Sequence, residues 1–125
     1  MPVKIGVSSE VRLAVSDADT ALALGSGEVA VLGTPRIVAL CEEAAVAAVA
    51  GQLAGDETSV GTRIELAHLA PVRVGSTVRA SATLEKAEGK RLVFNVAVND
   101  RFGLVAAGKI TRMVVKVDRF MERAR

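Results

Sequence analysis

A hydroxyl, a carboxylate and the only imidazole of the chain fall between residues 34 and 68. Thr34 stands directly before a proline, Glu42 lies in an otherwise apolar helical segment, and His68 lies in a segment with the alternation of a strand. An imidazole transfers protons, a carboxylate attacks a carbonyl carbon or activates water, and a hydroxyl orients either group. These are the functional groups of a hydrolase, so the sequence predicts a hydrolytic site built from Thr34, Glu42 and His68.

Glu42 and Thr34 also have structural explanations. A glutamate beside Glu43 could simply face solvent, whereas on a helix packed with Val, Ala and Leu its carboxylate would be partly desolvated and its charged form disfavoured. Thr34 before Pro35 suits the N-cap of a helix, a role compatible with a part in the chemistry. Because eight helical residues rise about 12 Å, Thr34 and Glu42 cannot bond each other directly within one helix.

His68 is the residue that has to connect the other two. It has the strand parity of Ile64 and Leu66, so it faces the core if they do. A lone histidine on an apolar face is most often a packed residue with a hydrogen-bond partner, and a base acting with Glu42 is the functional alternative. Either His68 mediates between Thr34 and Glu42, or one of the three acts across an interface between subunits.

The hydroxyl and the carboxylate are predicted to lie on a single helix. It begins at Thr34, runs to about Leu53 and closes at residues 55–56, where a glycine precedes an aspartate. A short strand around residues 11–15 precedes it. Residues 20–33 contain three glycines and no clear period, which favours a loop or lid. The alanine-rich helix surface is smooth enough for a sheet to wrap it closely.

Four segments after the helix have strand character, and short turn signals separate them. Such connections favour antiparallel neighbours, so the sequence predicts a long meander. The fold class is α+β, a curved five-stranded antiparallel sheet wrapped around one central apolar helix. The last segment is apolar on both faces, which predicts that a second subunit covers part of the sheet. The four segments are residues 58–69, 74–87, 91–100 and 104–117.

Composition excludes several function classes. The 125 residues fit one domain, residues 1–125, and the longest charge-free apolar stretch, residues 44–55, is too short for the roughly 20 residues of a membrane span. The 16 basic and 14 acidic residues are dispersed, unlike the basic patches of nucleic-acid binders. Cys41 is the only cysteine, so no intrachain disulfide forms, and a thiol inside a helix is interpreted as packing. A soluble, cytoplasmic protein is expected.

Motifs along nearly the whole chain resemble the fluoroacetyl-CoA thioesterase family of hotdog-fold proteins. The most specific part is the trio of Thr34, Glu42 and His68. The resemblance implies a homodimeric hotdog protein with active sites near the subunit interface, and whether dimers pair further into tetramers stays open. It also implies hydrolysis of an acyl-CoA thioester without a metal or redox cofactor. The motifs are Gly-Ser-Gly at 25–27, Thr34-Pro35, Ile-Val-Ala-Leu at 37–40, Glu-Glu-Ala-Ala at 42–45, Ser-Val-Gly-Thr at 59–62 and His-Leu-Ala-Pro at 68–71.

The same resemblance implies that Gly61 and Arg112 bind the substrate, with Gly61 as a backbone donor to the oxyanion. From the pattern alone, Gly61 is either an ordinary strand glycine or a position where a bulge or a ligand comes close to the backbone. Arg112 has the strand parity of Ile110 and Val114, where an unpaired guanidinium would be costly. It therefore pairs with a carboxylate, within the chain or at a dimer interface, or it binds an anion.

The predicted function is hydrolysis of a short or medium acyl-CoA to the free acid and CoA. Selective members of the family carry aromatic residues in the lid, but the first aromatic residue of this chain is Phe94, so the acyl group stays open. A carrier-protein thioester is an alternative to CoA. The alternative function is a non-catalytic acyl-CoA-binding protein. An enoyl-CoA hydratase is not favoured, because no acid stands five residues before His68.

Overall fold

The computed structural model describes residues 3–125, in which one long helix and five strands form the body of the fold. A single 3-10 turn, Asp17–Asp19, follows the first strand. The strands are β1 (Ser8–Ala14), β2 (Glu57–His68), β3 (Thr77–Glu88), β4 (Arg91–Asp100) and β5 (Gly103–Lys116), and the helices are α1 (Ala21–Leu24), α2 (Thr34–Ala48) and α3 (Val117–Glu122).

The five strands form one antiparallel sheet in the order β1-β3-β4-β5-β2. This confirms the predicted α+β class, with a five-stranded antiparallel sheet packed on one main helix. The predicted meander of four consecutive strands is wrong for β2, which pairs with β5 and places Ile64 opposite Ile110. The connection of residues 69–76 crosses the end of the sheet instead, because Val72 in it is buried and accepts the N–H of Leu32.

α2 begins at Thr34 as predicted, but its N-cap residue and its end differ from the prediction. Gly33 is the N-cap, and Thr34 is the first helical residue, with no side-chain cap bond. The expectation that Thr34 caps the helix is therefore wrong, and its hydroxyl is free for another partner. The helix ends at Ala48 rather than near residue 53. Soon afterwards Gly51 adopts a φ of 81°, a left-handed conformation that glycine tolerates and a helix cannot contain.

The core lies between one face of α2 and the concave face of the sheet. Small side chains on the helix, such as Ala44 and Ala45, let the sheet approach closely, and larger ones fill the gaps. The sheet contributes alternate residues of β3 and β4, as expected for strands with one buried face. The buried helical residues are Ile37, Leu40, Cys41, Ala44, Ala45 and Ala48, and their partners include Val78, Leu84, Phe94, Val98 and Ile110.

The predicted lid is fastened at both ends. Thr20 bridges Leu32, and the N–H of Gly33 donates to the carbonyl of Asp19. One-turn helix α1 interrupts the segment, and residues 22–30 are exposed. Its conformation is thus tied to the start of α2, although its surface faces solvent.

Two surfaces of the sheet lie outside the core. α3 lies over β5, where Phe120 lines a groove together with Met113 and Val115, so the chain itself covers part of the face for which a second subunit was predicted. β2 forms one edge of the sheet, and its residues 61–65 are exposed. Within residues 3–125, no helix combines the length and the apolar character needed to cross a membrane.

Candidate active site

Thr34 and His68 meet where the first turn of α2 faces the end of β2. The Oγ1 of Thr34 lies 2.7 Å from Nδ1 of His68, and Nε2 of His68 lies 3.0 Å from the carbonyl oxygen of Ala70. A carbonyl oxygen only accepts, so Nε2 carries the proton and donates to Ala70. In the neutral ring Nδ1 is then the acceptor, and the hydroxyl of Thr34 donates to it.

This arrangement fixes the tautomer of His68 and gives the pair a chemical direction. A hydroxyl that donates to an unprotonated imidazole nitrogen is aligned for transfer of its proton. The same bond holds the ring so that it can exchange a proton with a group bound nearby. His68 is half-buried and Thr34 is exposed, so a substrate can reach the hydroxyl.

Glu42 has a different partner. Its Oε2 lies 2.9 Å from the NH1 nitrogen of Arg112, whose side chain is 7% exposed against 35% for Glu42. The side chain of the adjacent Glu43 is 58% exposed, and its Oε2 lies 3.5 Å from the NH1 nitrogen of Arg36, a longer contact than that of Glu42. The two glutamates therefore differ as the functional interpretation requires, because Glu43 faces solvent. The carboxylate of Glu42 is not the uncompensated charge that its apolar neighbours in sequence suggest.

Arg112 is held by Ser59 as well. Its Nε donates to the hydroxyl of Ser59 at 2.9 Å, and its NH2 nitrogen donates to the carbonyl of Ser59 at 2.7 Å. Of the possibilities that the sequence left open for Arg112, the structure shows pairing with a carboxylate of the same chain. Sequence reasoning missed Ser59. Its one signal in the sequence was its position two residues before Gly61, which gives it the same strand parity.

Gly61 leaves the space that the carboxylate occupies. A Cβ atom at this position would collide with Oε2 of Glu42 and stand 3.5 Å from NH1 of Arg112. Gly61 is paired with Arg112 across the strands, and the register shifts between Gly61 and Arg63, which is a β-bulge. Close approach of another group to the backbone is thus the reason for glycine, and the approaching group is Glu42.

The predicted trio is divided into two pairs within one chain. His68 binds Thr34 and Ala70, and Glu42 binds Arg112. The pairs are separated by about two turns of α2 and by seven residues of β2, which span at most about 23 Å. A direct bridge by His68 between Thr34 and Glu42 is absent from the described residues of the chain. The other possibility raised by the sequence, a site across two subunits, stays a prediction.

Asp19 holds the start of α2 in place. Its Oδ2 accepts the N–H of Ser16 at 2.8 Å and the Ser16 hydroxyl at 3.0 Å, and its Oδ1 accepts Nε of Arg36 at 3.1 Å. The backbone N–H of Ser16, followed by its hydroxyl and by Arg36, lowers the pKa of Asp19 against the opposing effect of burial. The segment before the helix and the first turn that carries Thr34 are thereby joined.

Cys41, next to Glu42, points in the opposite direction into the core. It is fully buried, and burial, with a smaller contribution from the charge of Glu42, raises its pKa to about 11. A thiol with such a pKa is almost entirely protonated at neutral pH and is a poor nucleophile. This agrees with the interpretation of Cys41 as packing.

Comparison with known proteins identifies the family and the fold of this chain. Residues 15–118 match the family model described as fluoroacetyl-CoA-specific thioesterase. The fluoroacetyl-CoA thioesterase of Streptantibioticus cattleyicolor is 35% identical over 95 residues, which cover 76% of this chain and 68% of that protein.

Solved structures agree with the sequence comparison. A fluoroacetyl-CoA thioesterase structure superposes with a TM-score of 0.91 at 27% identity, covering 100% of both chains. A hot-dog-like protein from Thermanaerovibrio acidaminovorans gives a TM-score of 0.87 at 28% identity, covering 95% of this chain and 88% of the other. The chain therefore belongs to the fluoroacetyl-CoA-specific thioesterase family and is a thioester hydrolase with the hotdog fold.

Proposed function

We propose that this protein hydrolyses a short or medium acyl-CoA thioester to the free acid and CoA, at a site that combines Thr34, Glu42 and His68 of two subunits. The observation that carries the proposal is the hydrogen bond of 2.7 Å between Oγ1 of Thr34 and Nδ1 of His68, in a chain of a thioesterase family. The carboxylate of Glu42, which keeps one oxygen outside its ion pair, supplies the remaining functional group.

The edge strand β2 supports a dimer. An edge strand of 12 residues presents unpaired backbone groups, and its exposed residues 61–65 lie between the two pairs of site residues. Two β2 strands that paired antiparallel around a two-fold axis between Ile64 and Glu65 would place Gly61 opposite the partner's His68. Glu42, which packs against Gly61, would then approach the partner's Thr34 and His68.

In this site the residues have separate roles. Backbone N–H groups around Gly61 bind the carbonyl oxygen, where negative charge develops in the transition state. Glu42 either attacks the carbonyl carbon, forming an anhydride that water then hydrolyses, or activates water for direct attack. His68 transfers a proton to the departing CoA sulfur, and the hydroxyl of Thr34 orients the reacting groups. Arg112 holds the carboxylate.

The identity of the acyl group stays open within the short and medium chains proposed. The lid, residues 20–33, contains no aromatic residue, and Phe94 is fully buried in the core, so neither supplies an aromatic wall to an acyl pocket. The matching family and the Streptantibioticus cattleyicolor relative are named for fluoroacetyl-CoA, whereas this lid has no aromatic residue with which to shape a pocket for that acyl group. A cytoplasmic location is proposed with this function, because the only thiol, Cys41, is unpaired and acyl-CoA is an intracellular substrate class.

The function is tested with CoA thioesters of increasing chain length and polarity, read by release of free thiol. We expect turnover of short and medium acyl-CoA, with one molecule of acid formed per thiol. Equilibrium binding of acyl-CoA without thiol release over hours would favour the non-catalytic binding protein. Crotonyl-CoA, followed for hydration as well as for thiol release, separates a hydratase from a thioesterase.

The shared site is tested by mixing two inactive variants. If each site takes Glu42 from one subunit and His68 from the other, a mixed dimer of Glu42→Gln and His68→Ala chains has one intact site. We expect about a quarter of the wild-type rate after random exchange, since half of the dimers are mixed and each has one of two sites. No recovery, in a sample shown by native mass spectrometry to contain mixed dimers, would exclude the shared site.

A further inference from the structure

Two acceptor atoms of Ser59 bind the same guanidinium group. The hydroxyl accepts from Nε of Arg112 at 2.9 Å and the main-chain carbonyl accepts from the NH2 nitrogen at 2.7 Å. Both residues are buried. An arginine side chain has many rotamers, but two bonds from two different nitrogens of a planar group fix both its position and its plane. Ser59 therefore determines how Arg112 is presented.

The third nitrogen of this guanidinium group holds one carboxylate oxygen of Glu42. NH1 donates to Oε2 at 2.9 Å, while Oε1 has no hydrogen-bond partner among the described residues. The side chain of Glu42 is 35% exposed, so its second oxygen is accessible to a bound water or acyl group. A carboxylate that is held by one oxygen presents the other in a defined direction.

The strand backbone completes the seat of the carboxylate. Ser59 and Gly61 have the same strand parity, and Gly61 lies directly across from Arg112. A Cβ atom at Gly61 would collide with Oε2 of Glu42. Ser59 thus fixes the cation, and Gly61 leaves the space in which the cation binds the carboxylate.

We propose that Ser59 is a positioning residue of this thioesterase, which acts through Arg112 to orient Glu42 so that Oε1 faces the substrate. The proposal rests on the proposed function, because it assigns a direction to the carboxylate used there. Ser59 itself does not touch the substrate. Its effect is expected on kcat, since orientation of a reacting group changes the chemical step rather than substrate binding.

The kinetic test compares Ser59→Ala with Ser59→Thr. Ser59→Ala is expected to lower kcat by up to about 100-fold, the loss that a displacement of about 1 Å can cause, with little change in KM. Ser59→Thr retains the hydroxyl and should recover most of the rate. The matched control is Ser81→Ala in β3, a half-buried serine whose hydroxyl donates to the carbonyl of Ala97 at 3.4 Å. A kcat for Ser59→Ala equal to that of Ser81→Ala would overturn the proposal.

A second pair of variants tests the space beside the carboxylate. Gly61→Ala forces Oε2 of Glu42 away from Arg112 and is expected to lower kcat at least as much as Ser59→Ala. Gly55→Ala is the control, because a Cβ atom there meets no atom within 4 Å. If Gly61→Ala and Gly55→Ala had equal kcat, the position of the Glu42 carboxylate would have no effect on the rate, and the proposal would be overturned.

The free energy of unfolding gives a readout that does not depend on activity. Ser59 and Glu42 share Arg112 as a partner without being bonded to each other, so their effects should be coupled only through it. In a double-mutant cycle of Ser59→Ala and Glu42→Gln we expect clear non-additivity, and additivity in the cycle of Ser81→Ala and Glu42→Gln. Additivity in the first cycle would overturn the positioning role. If the wild-type protein hydrolysed none of the thioesters, the proposed function would be overturned. The double-mutant cycle would still decide whether Ser59 acts on Glu42 through Arg112.

Discussion

The two pairs of site residues are built in opposite ways. Thr34 and His68 form a pair at an exposed end of α2, held by one bond between side chains and one to the carbonyl of Ala70. Glu42 and Arg112 form an ion pair whose cation is buried and locked by Ser59. The first pair is suited to moving a proton, because a hydroxyl and an imidazole can each donate and accept one. The second pair is suited to holding the charge of Glu42 in one place.

Of the variants that test the two pairs, replacement of Glu42 is expected to lower kcat the most. Glu42→Gln keeps the shape but removes the charge that attacks or activates water, so kcat should fall by about 1,000-fold or more. Glu43→Gln, its neighbour on the solvent side of α2, should leave kcat unchanged. Thiol release from the best substrate measures both. Equal rates for the two variants would remove Glu42 from the chemistry.

Replacement of His68 is expected to be nearly as damaging, but through the other pair. His68→Ala removes the proton carrier and should lower kcat by about 100-fold or more, with the sheet intact because His68 lies near the end of an edge strand. The control is Thr83→Ala, an exposed position of β3. Unchanged turnover of every active thioester would exclude the role assigned to His68.

Removal of the Thr34 hydroxyl is expected to have a smaller effect on kcat, and it tests the hydrogen bond between Thr34 and His68. Thr34→Val removes the donor to His68 and should lower kcat about 10-fold, the order of one hydrogen bond. Thr34→Ser keeps the hydroxyl and is expected to retain activity. If the serine variant were as slow as the valine variant, packing of the methyl group rather than the hydrogen bond would explain the effect.

Replacement of Asp19 tests how much its hydrogen bonds stabilise the start of α2, which carries Thr34. Asp19→Asn should lower the free energy of unfolding by about 1.5–3 kcal/mol at neutral pH, the range for hydrogen bonds to a charged group. The fold lowers the pKa of Asp19, so its contribution is fully present above the unfolded pKa and is lost as pH falls through the folded pKa. Urea unfolding should therefore show a difference that is full at neutral pH and shrinks below about pH 4.

The matched control for this measurement is Asp17→Asn in the same turn, because Asp17 is exposed. Its stability should follow the wild type at every pH. A constant difference between Asp19→Asn and the wild type down to the lowest pH would mean that the charge of Asp19 does not stabilise the fold.

The smallest effect is expected at Cys41, on the core side of α2. Because burial raises its pKa to about 11, the folded protein should react with a thiol reagent at pH 8 far more slowly than the protein in urea. The unfolded chain should titrate one thiol. Rapid labelling of the folded protein would mean that this part of α2 opens, which the fixed geometry of Glu42 does not allow.

Much of the fold could be predicted from residue patterns. Alternation located the five strands to within a few residues, and the apolar run after Pro35 located α2, because these periods depend on which side chains face the core. The cap and the end of α2 were misplaced, since they depend on the contacts of Gly33 and on a left-handed turn at Gly51. The pairing of β2 with β5 was missed, because a short connection can pass across the ends of the intervening strands as well as form a hairpin.

Residue types and motifs along the chain were enough to predict the class of chemistry, thioester hydrolysis, and to suggest Thr34, Glu42 and His68 as its residues. Their partners were decided only by the tertiary structure. Arg112 lies 70 residues from Glu42 along the chain, and Ser59 lies 53 residues from Arg112, so no local pattern links them. Side-chain types and periods are local properties, whereas the partner of a hydroxyl or a carboxylate depends on which strands lie side by side.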